Sequence, residues 1–121
     1  MVLYAIMKRD TIKNHSDFAM GENDHVAKSA YFLVCAKNAK IPGDARYGMI
    51  VTKKTFKHAV DRNRAKRMLR DWLAFNERML RPEWDYVFII RRAIIDADRT
   101  SGRIAMKKAL NYLRKQETNA Q

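Results

Sequence analysis

Apolar side chains recur at helical spacing in a long stretch between Ala59 and Leu80. At 3.6 residues per turn they form one stripe, made of Ala65, Met68, Leu69, Trp72, Leu73, Met79 and Leu80. We expect Asp61 to be the N-cap, because its carboxylate can accept hydrogen bonds from the first free backbone N–H groups. Pro82 should stop the helix. The pattern therefore predicts a central helix with one buried face.

Shorter patterns predict the elements around this helix. Ser29–Lys37 and Arg46–Thr52 are rich in β-forming residues, and the Pro-Gly turn at Pro42 favours pairing of these two strands as a hairpin. Asp85–Arg91 predicts a third strand, which should lie parallel to the second because a helix joins them. A final helix, capped in the loop around Asp98, has the apolar stripe Met106, Ala109, Leu110 and Leu113.

Together these elements predict a single α+β domain over residues 1–121. The expected architecture is a two-layer α/β sandwich, with one small sheet and helices packed on it. A short helix is predicted around residues 17–20, residues 1–7 form an apolar segment without an assigned role, and the polar tail at 116–121 should fray. No repeat, low-complexity tract or linker divides the chain.

The charge of the chain indicates that this domain has a polyanionic partner. The 121 residues carry a formal net charge of +12, while 47% of them are apolar, as expected of a folded domain. Nucleic acid is the leading partner class and an anionic membrane surface the second. No apolar run approaches the roughly 18 to 20 residues that span a bilayer, so we expect no membrane association. The single Cys35 is compatible with the cytoplasm.

Most of the concentrated charge lies on the central helix and in the loop before it. Charged helix faces are commonly just solvated, but such faces mix signs, and here Asp61 is the single acid between Lys53 and Arg70. Guanidinium forks on a rigid helix suit phosphate oxygens. The candidate polyanion-binding residues are Lys53, Lys54, Arg62, Asn63, Arg64, Lys66, Arg67 and Arg70, and the resemblance described below implies that they bind RNA.

The sequence offers no comparable arrangement for catalysis. Its histidines, His15, His25 and His58, have no metal-ligand spacing to one another or to Cys35, and there is no Gly-rich phosphate loop. The acids of the Asp96–Asp98 loop are more typical of helix caps than of a Mg²⁺ site. We therefore expect no metal site and no catalytic residue in the protein, and a contribution by binding.

The order of these motifs resembles the protein subunit of bacterial ribonuclease P. The resemblance rests on the strand Tyr47–Thr52 with its Lys-Lys pair, the Arg62-Asn63-Arg64-x-Lys66-Arg67-x-x-Arg70 run, and the strand Asp85–Arg91; it covers roughly residues 13–113. It implies that a catalytic RNA, with Mg²⁺ held mainly by that RNA, cleaves the 5′ leader from precursor tRNA. The protein would bind the RNA and the leader, with no obligate protein partner. It also implies a left-handed strand–helix–strand crossover, against the general right-handed rule.

The resemblance further implies a leader-binding cleft that includes Phe18. The family usually has a second aromatic residue one turn later, but this chain has Glu22 there, whose charge would repel phosphate. Tyr31 or Phe32 is the candidate replacement, with core packing as the alternative for each. Two other functions stay open: a ribosomal or general RNA-binding module of similar fold, and a nuclease that acts without RNA, which the missing acid–base groups disfavour.

Overall fold

The computed structural model describes residues 25–38 and 46–120, with side chains described as far as residue 116. Four strands form one sheet: β1 (His25–Lys28), β2 (Phe32–Asn38), β3 (Arg46–Ile50) and β4 (Trp84–Ile90). Their spatial order is β1-β2-β4-β3. The predicted helix near residues 17–20, the apolar segment 1–7 and the turn at Pro42 lie outside the described residues.

Two long helices complete the domain, and the α+β class predicted from the sequence is confirmed. The helices are α1 (Ala59–Phe75) and α2 (Arg99–Ala120), and short 3₁₀ turns at Glu77–Met79 and Arg92–Asp96 lie on either side of β4. Helical backbone continues to Ala120, past the point where the sequence predicted fraying. No helix in the described ranges has both the length and the apolar composition needed to cross a bilayer.

The strand order corrects one prediction. β2 pairs antiparallel with β4 and not with β3, so the predicted hairpin of Ser29–Lys37 with Arg46–Thr52 is wrong. The parallel pairing of β3 with β4 is confirmed. β4 occupies one of the two inner positions of the sheet, and nearly all of its residues are buried, as is typical of a strand covered on both faces.

The hairpin in this sheet is formed by β1 and β2, and β1 was missed by the sequence reasoning. Ser29 closes the turn, since its Oγ accepts hydrogen bonds from the backbone N–H groups of Tyr31 and Phe32, both at 3.1 Å. β1 has only four residues, which is too short for a period-2 pattern to stand out. The serine turn was the available signal.

The boundaries of α1 also differ from the prediction. His58 is the N-cap, and Asp61 already lies inside the first turn, where its backbone N–H donates to His58 O at 3.1 Å; the predicted Asp61 cap is therefore wrong. The helix ends at Phe75, before Leu80, because Asn76 leaves helical geometry. The Asn76 amide donates to Trp72 O at 2.9 Å and to Arg103 O on α2 at 3.1 Å, which ties the two helices together.

The main core lies between one face of the sheet and the two helices. Alternate residues of the central strands point into it, including Val34 of β2 and Phe88 of β4. The predicted apolar stripe of α2 is fully confirmed, since Met106, Ala109, Leu110 and Leu113 are all buried. Cys35 lies on the opposite face, 1% exposed in a small cluster with Val87, as expected of a buried structural thiol.

Candidate nucleic-acid interface

The predicted basic residues of α1 lie on the part of the helix turned away from the core. The buried side is formed by Ala65, Leu69, Trp72 and Leu73, which fixes the helix against the sheet and α2. Asn63, Arg64 and Arg67 are exposed, whereas Arg62, Lys66 and Arg70 are half-buried. These last three follow one another at intervals of four, so they form a row along one edge of the buried stripe.

The loop between β3 and α1 presents the other two predicted cations. Lys53 and Lys54 are exposed in a turn that Phe56 anchors, because its ring is buried in the core. The Phe56 N–H donates to Thr52 O at 3.0 Å, and the hydroxyl groups of Thr52 and Thr55 are also hydrogen-bonded at 3.0 Å. The position of the two lysines is therefore fixed by local bonds and by the core.

Arg62 joins this loop to the helix. Its Nη1 donates to Phe56 O at 2.9 Å and to Lys57 O at 3.2 Å. Arg92 supports the loop from the other side, since its Nη1 donates to Thr55 O at 3.2 Å. The loop lysines and the α1 cations thus belong to one continuous surface, called the basic surface below: Lys53, Lys54, Arg62, Asn63, Arg64, Lys66, Arg67 and Arg70. The bracing contacts of Arg62 were not visible from the sequence.

The acids nearest to this surface do little to neutralise it. Asp61 is half-buried and lines a small cavity of about 110 Å³ beside Arg92. Asp71 accepts both ends of the Arg103 guanidinium, at 3.1 and 3.2 Å. The remaining charge is positive and exposed, which suits phosphate groups.

The candidate leader-binding residues are separated by the structure. Phe32 is 0% exposed and packs edge-on against Phe88, with ring centroids 5.6 Å apart, so it cannot stack on a base, and its prediction as a cleft residue is corrected. Tyr31 is half-buried with its ring 5.5 Å from that of Trp72. Phe18 and Glu22 lie outside the described residues.

The side chains that could hold a metal ion are scattered in the described part of the chain. Within residues 25–38 and 46–120, no group of three or more His, Cys, Asp or Glu side chains is placed to hold a metal ion. Asp98 is a cap, since its Oδ2 accepts from the Ser101 N–H at 3.3 Å, while Asp96 lines the small cavity beside Arg92. The exposed cations of this arrangement can bind an anion.

Local hydrogen bonding and burial explain the shifted pKa values of Asp98, Glu83 and Tyr86. Hydrogen bonding to Ser101 lowers the pKa of Asp98, and the hydrogen bond from Arg81 lowers the pKa of Glu83. Burial raises the pKa of Tyr86 to about 12, although its hydroxyl accepts a hydrogen bond from the Arg81 N–H at 2.9 Å. None of these groups belongs to the basic surface.

Comparisons with known proteins agree with this geometry. The Ribonuclease P family model matches residues 6–114. The ribonuclease P protein component of Marinomonas sp. is 32% identical over 95% of this chain and 87% of its own length. That of Idiomarina loihiensis is 38% identical over 59% of this chain, a match that spans only 53% of the relative's length.

A solved structure matches the fold as well as the sequence. The RNase P protein of Staphylococcus aureus superposes with a TM-score of 0.68 at 26% identity, over 83% of this chain and 91% of that one. The family match covers most of the sequence, including all four strands, the whole of α1, and α2 as far as residue 114. This chain therefore belongs to the ribonuclease P protein family.

Proposed function

We propose that this protein is the non-catalytic protein subunit of ribonuclease P. In this proposal it binds the ribonuclease P RNA, which carries out the chemistry, and assists endonucleolytic removal of the 5′ leader from precursor tRNA. Membership of the family supports the proposal. The observation that carries it is the basic surface, where α1 and the lysine loop are held rigidly beside each other by Arg62.

The physical role of this surface follows from its charge. Side chains that contact phosphate read the shape of a folded RNA and carry little sequence information. Neutralising phosphates where the RNA and its substrate meet reduces the repulsion that Mg²⁺ must otherwise screen. We propose that the Mg²⁺ ions of the reaction are held mainly by the RNA, as the resemblance to the family implies. The reaction implies a cytoplasmic location, where precursor tRNA is made.

Contact with the leader is proposed for Phe18. Stacking of one base on an exposed aromatic ring contributes about 1–3 kcal/mol and tolerates any base, as a subunit that serves many precursors requires. Tyr31 has part of its ring occupied by Trp72 and is the secondary candidate.

The test is cleavage of a precursor tRNA at low Mg²⁺ by a ribonuclease P RNA from a close relative, with and without this protein. Wild type is compared with Arg67→Ala, with Phe18→Ala, and with Lys107→Ala as a control that removes one exposed cation from α2. We expect wild type and Lys107→Ala to restore cleavage at the mature 5′ end. Arg67→Ala should require more protein, and Phe18→Ala should lose preference for substrates with a leader.

Failure of the wild-type protein to stimulate cleavage, despite tight binding to the RNA, would contradict the proposal. Such a result would favour a general RNA-binding module. If Arg67→Ala behaves like Lys107→Ala, the α1 face is not the RNA-binding side.

A further inference from the structure

A second cationic feature lies where α1 meets the beginning of α2. A cavity of about 300 Å³ opens there, lined by Arg64, Arg67, Met68, Asp71, Trp72 and Arg99. Arg64 and Arg67 belong to the basic surface, but Arg99 comes from the other helix and was not among the predicted site residues. Its side chain is 72% exposed.

The charges around the cavity do not cancel. Asp71 is the one acid among the lining residues, and it already accepts two hydrogen bonds from Arg103, at 3.1 and 3.2 Å. The Arg99 Nε lies 3.9 Å from the Asp71 carboxylate, which orients the arginine toward the cavity without a close ion pair. Three guanidinium groups therefore line a cavity whose carboxylate is engaged elsewhere.

The two helices that form the cavity are locked together, so its shape is preorganised. Gly102 packs directly on Trp72, because a Cβ at that position would lie 1.9 Å from Trp72 Cε2. The Asn76 amide bridges the helices below this contact by donating to Arg103 O at 3.1 Å. Rigid placement favours binding, since the site then loses little conformational entropy when the anion binds.

We propose that this cavity binds one phosphodiester group of the RNA, held jointly by Arg67 of α1 and Arg99 of α2. This inference rests on the proposed function and extends it, because it adds the beginning of α2 to the RNA-binding surface. Arginine suits the role, since each guanidinium presents a planar fork that matches two phosphate oxygens. Met68 and Trp72 form an apolar floor, which excludes water beneath the anion and strengthens its interaction with the guanidinium groups.

The proposal is tested by measuring the affinity for ribonuclease P RNA over a range of salt concentrations. The variants are Arg99→Gln, Arg67→Gln, the double variant, and Lys107→Gln, which removes the same charge from an exposed position of α2 that does not line the cavity. Loss of a charged hydrogen-bonding group should make Arg99→Gln bind about tenfold more weakly than wild type. It should also lower the salt slope by roughly 0.7–0.9. Lys107→Gln should change both much less.

The double variant distinguishes a shared phosphate from two independent contacts. If Arg67 and Arg99 hold the same group, the loss in the double variant is smaller than the product of the two single losses. Arg99→Lys should keep the salt slope but recover only part of the affinity, because the ammonium group lacks the fork. Urea unfolding of each variant confirms that the fold is intact.

Three results would overturn the inference. An Arg99→Gln loss no larger than that of Lys107→Gln removes Arg99 from the interface, and multiplicative losses show that no phosphate is shared. Submillimolar inorganic phosphate that binds wild type but not Arg99→Gln, and that leaves RNA affinity unchanged, would identify a free anion as the occupant. Failure of the wild-type protein to bind this RNA would instead contradict the proposed function itself.

Discussion

Arg62 has a structural role that the sequence did not predict, and this role changes the expected effect of mutating it. The sequence places it among the RNA contacts, equivalent to Arg67, but its guanidinium also donates to Phe56 O at 2.9 Å and to Lys57 O at 3.2 Å. We therefore expect Arg62→Ala to destabilise the free protein, whereas Arg67→Ala should affect RNA binding alone.

The size of the effect follows from the number and exposure of these bonds. A hydrogen bond with a charged partner is worth about 1.5–3 kcal/mol when it is well buried, and less when water can replace it. Arg62 is half-buried, and one of its two acceptor contacts is exposed to solvent. We expect Arg62→Ala to lower the free energy of unfolding by about 1–2 kcal/mol, compared with about 0.5 kcal/mol or less for the exposed Arg67.

The assay combines urea unfolding with amide hydrogen exchange. Loss of the brace should speed exchange at the Phe56 N–H, which donates to Thr52 O within the lysine loop. RNA affinity is measured in parallel, and Arg62→Lys serves as the matched variant because it keeps the charge but lacks the guanidinium fork. Arg62→Lys should retain most of the salt dependence of binding while losing part of the stability.

This reasoning is refuted if Arg62→Ala is as stable as wild type and its Phe56 N–H exchanges at the wild-type rate. Arg62 would then act only through RNA, as the sequence alone suggested. A stability loss in Arg67→Ala equal to that in Arg62→Ala would refute it equally, because nothing in the contacts of Arg67 accounts for one.

Three further changes test other parts of the fold. Gly102→Ala should destabilise the protein by about 1–3 kcal/mol in urea unfolding, since its Cβ would overlap Trp72, although the same change in an open helix is favourable. Asp98→Ala should lower the melting temperature at neutral pH, and the difference should shrink as acid protonates Asp98, whose lowered pKa makes the cap strongest above that value. Stability of the wild type should fall between pH 10 and about 12, by about 1.4 kcal/mol per pH unit from Tyr86, whose pKa is raised to about 12; Tyr86→Phe should lack this fall.

Periodicity predicted the helices well and the sheet less well, for a physical reason. The stripes of α1 and α2 depend on spacing within one segment, so Leu69 and Leu110 could be assigned to the core from the sequence. Strand pairing depends on competition between distant segments. β4, which is buried along nearly its whole length, lies beside β2 in place of β3, and a pattern within either strand alone carries no information about its partner.

The candidate site, like the fold, was predicted from the sequence only in part. The cations of α1 were found because they are concentrated in sequence. The cavity between the helices was not, since Arg67 and Arg99 are far apart along the chain and meet only in the fold. For Phe32 the cleft and the core both stayed open, because strand register decides whether an aromatic residue faces the core, and the structure places it in the core. Its partner Phe88 lies on β4, whose pairing with β2 had not been predicted.

The contacts that fix the backbone beneath the basic surface can be understood from opposing requirements of folding and binding. Like charges at close spacing repel in the free protein, so the cations that favour RNA oppose the compact state. A flexible arrangement would relieve this repulsion, but each long side chain and each loop would then have to be ordered during binding. This chain instead fixes the backbone beneath the charges, through Phe56 and Arg62 in the loop and through Gly102 and Trp72 between the helices. The repulsion is thereby retained in the free protein. Under the proposed function, the phosphate groups of the RNA relieve it, and association with RNA is the step that stabilises the surface.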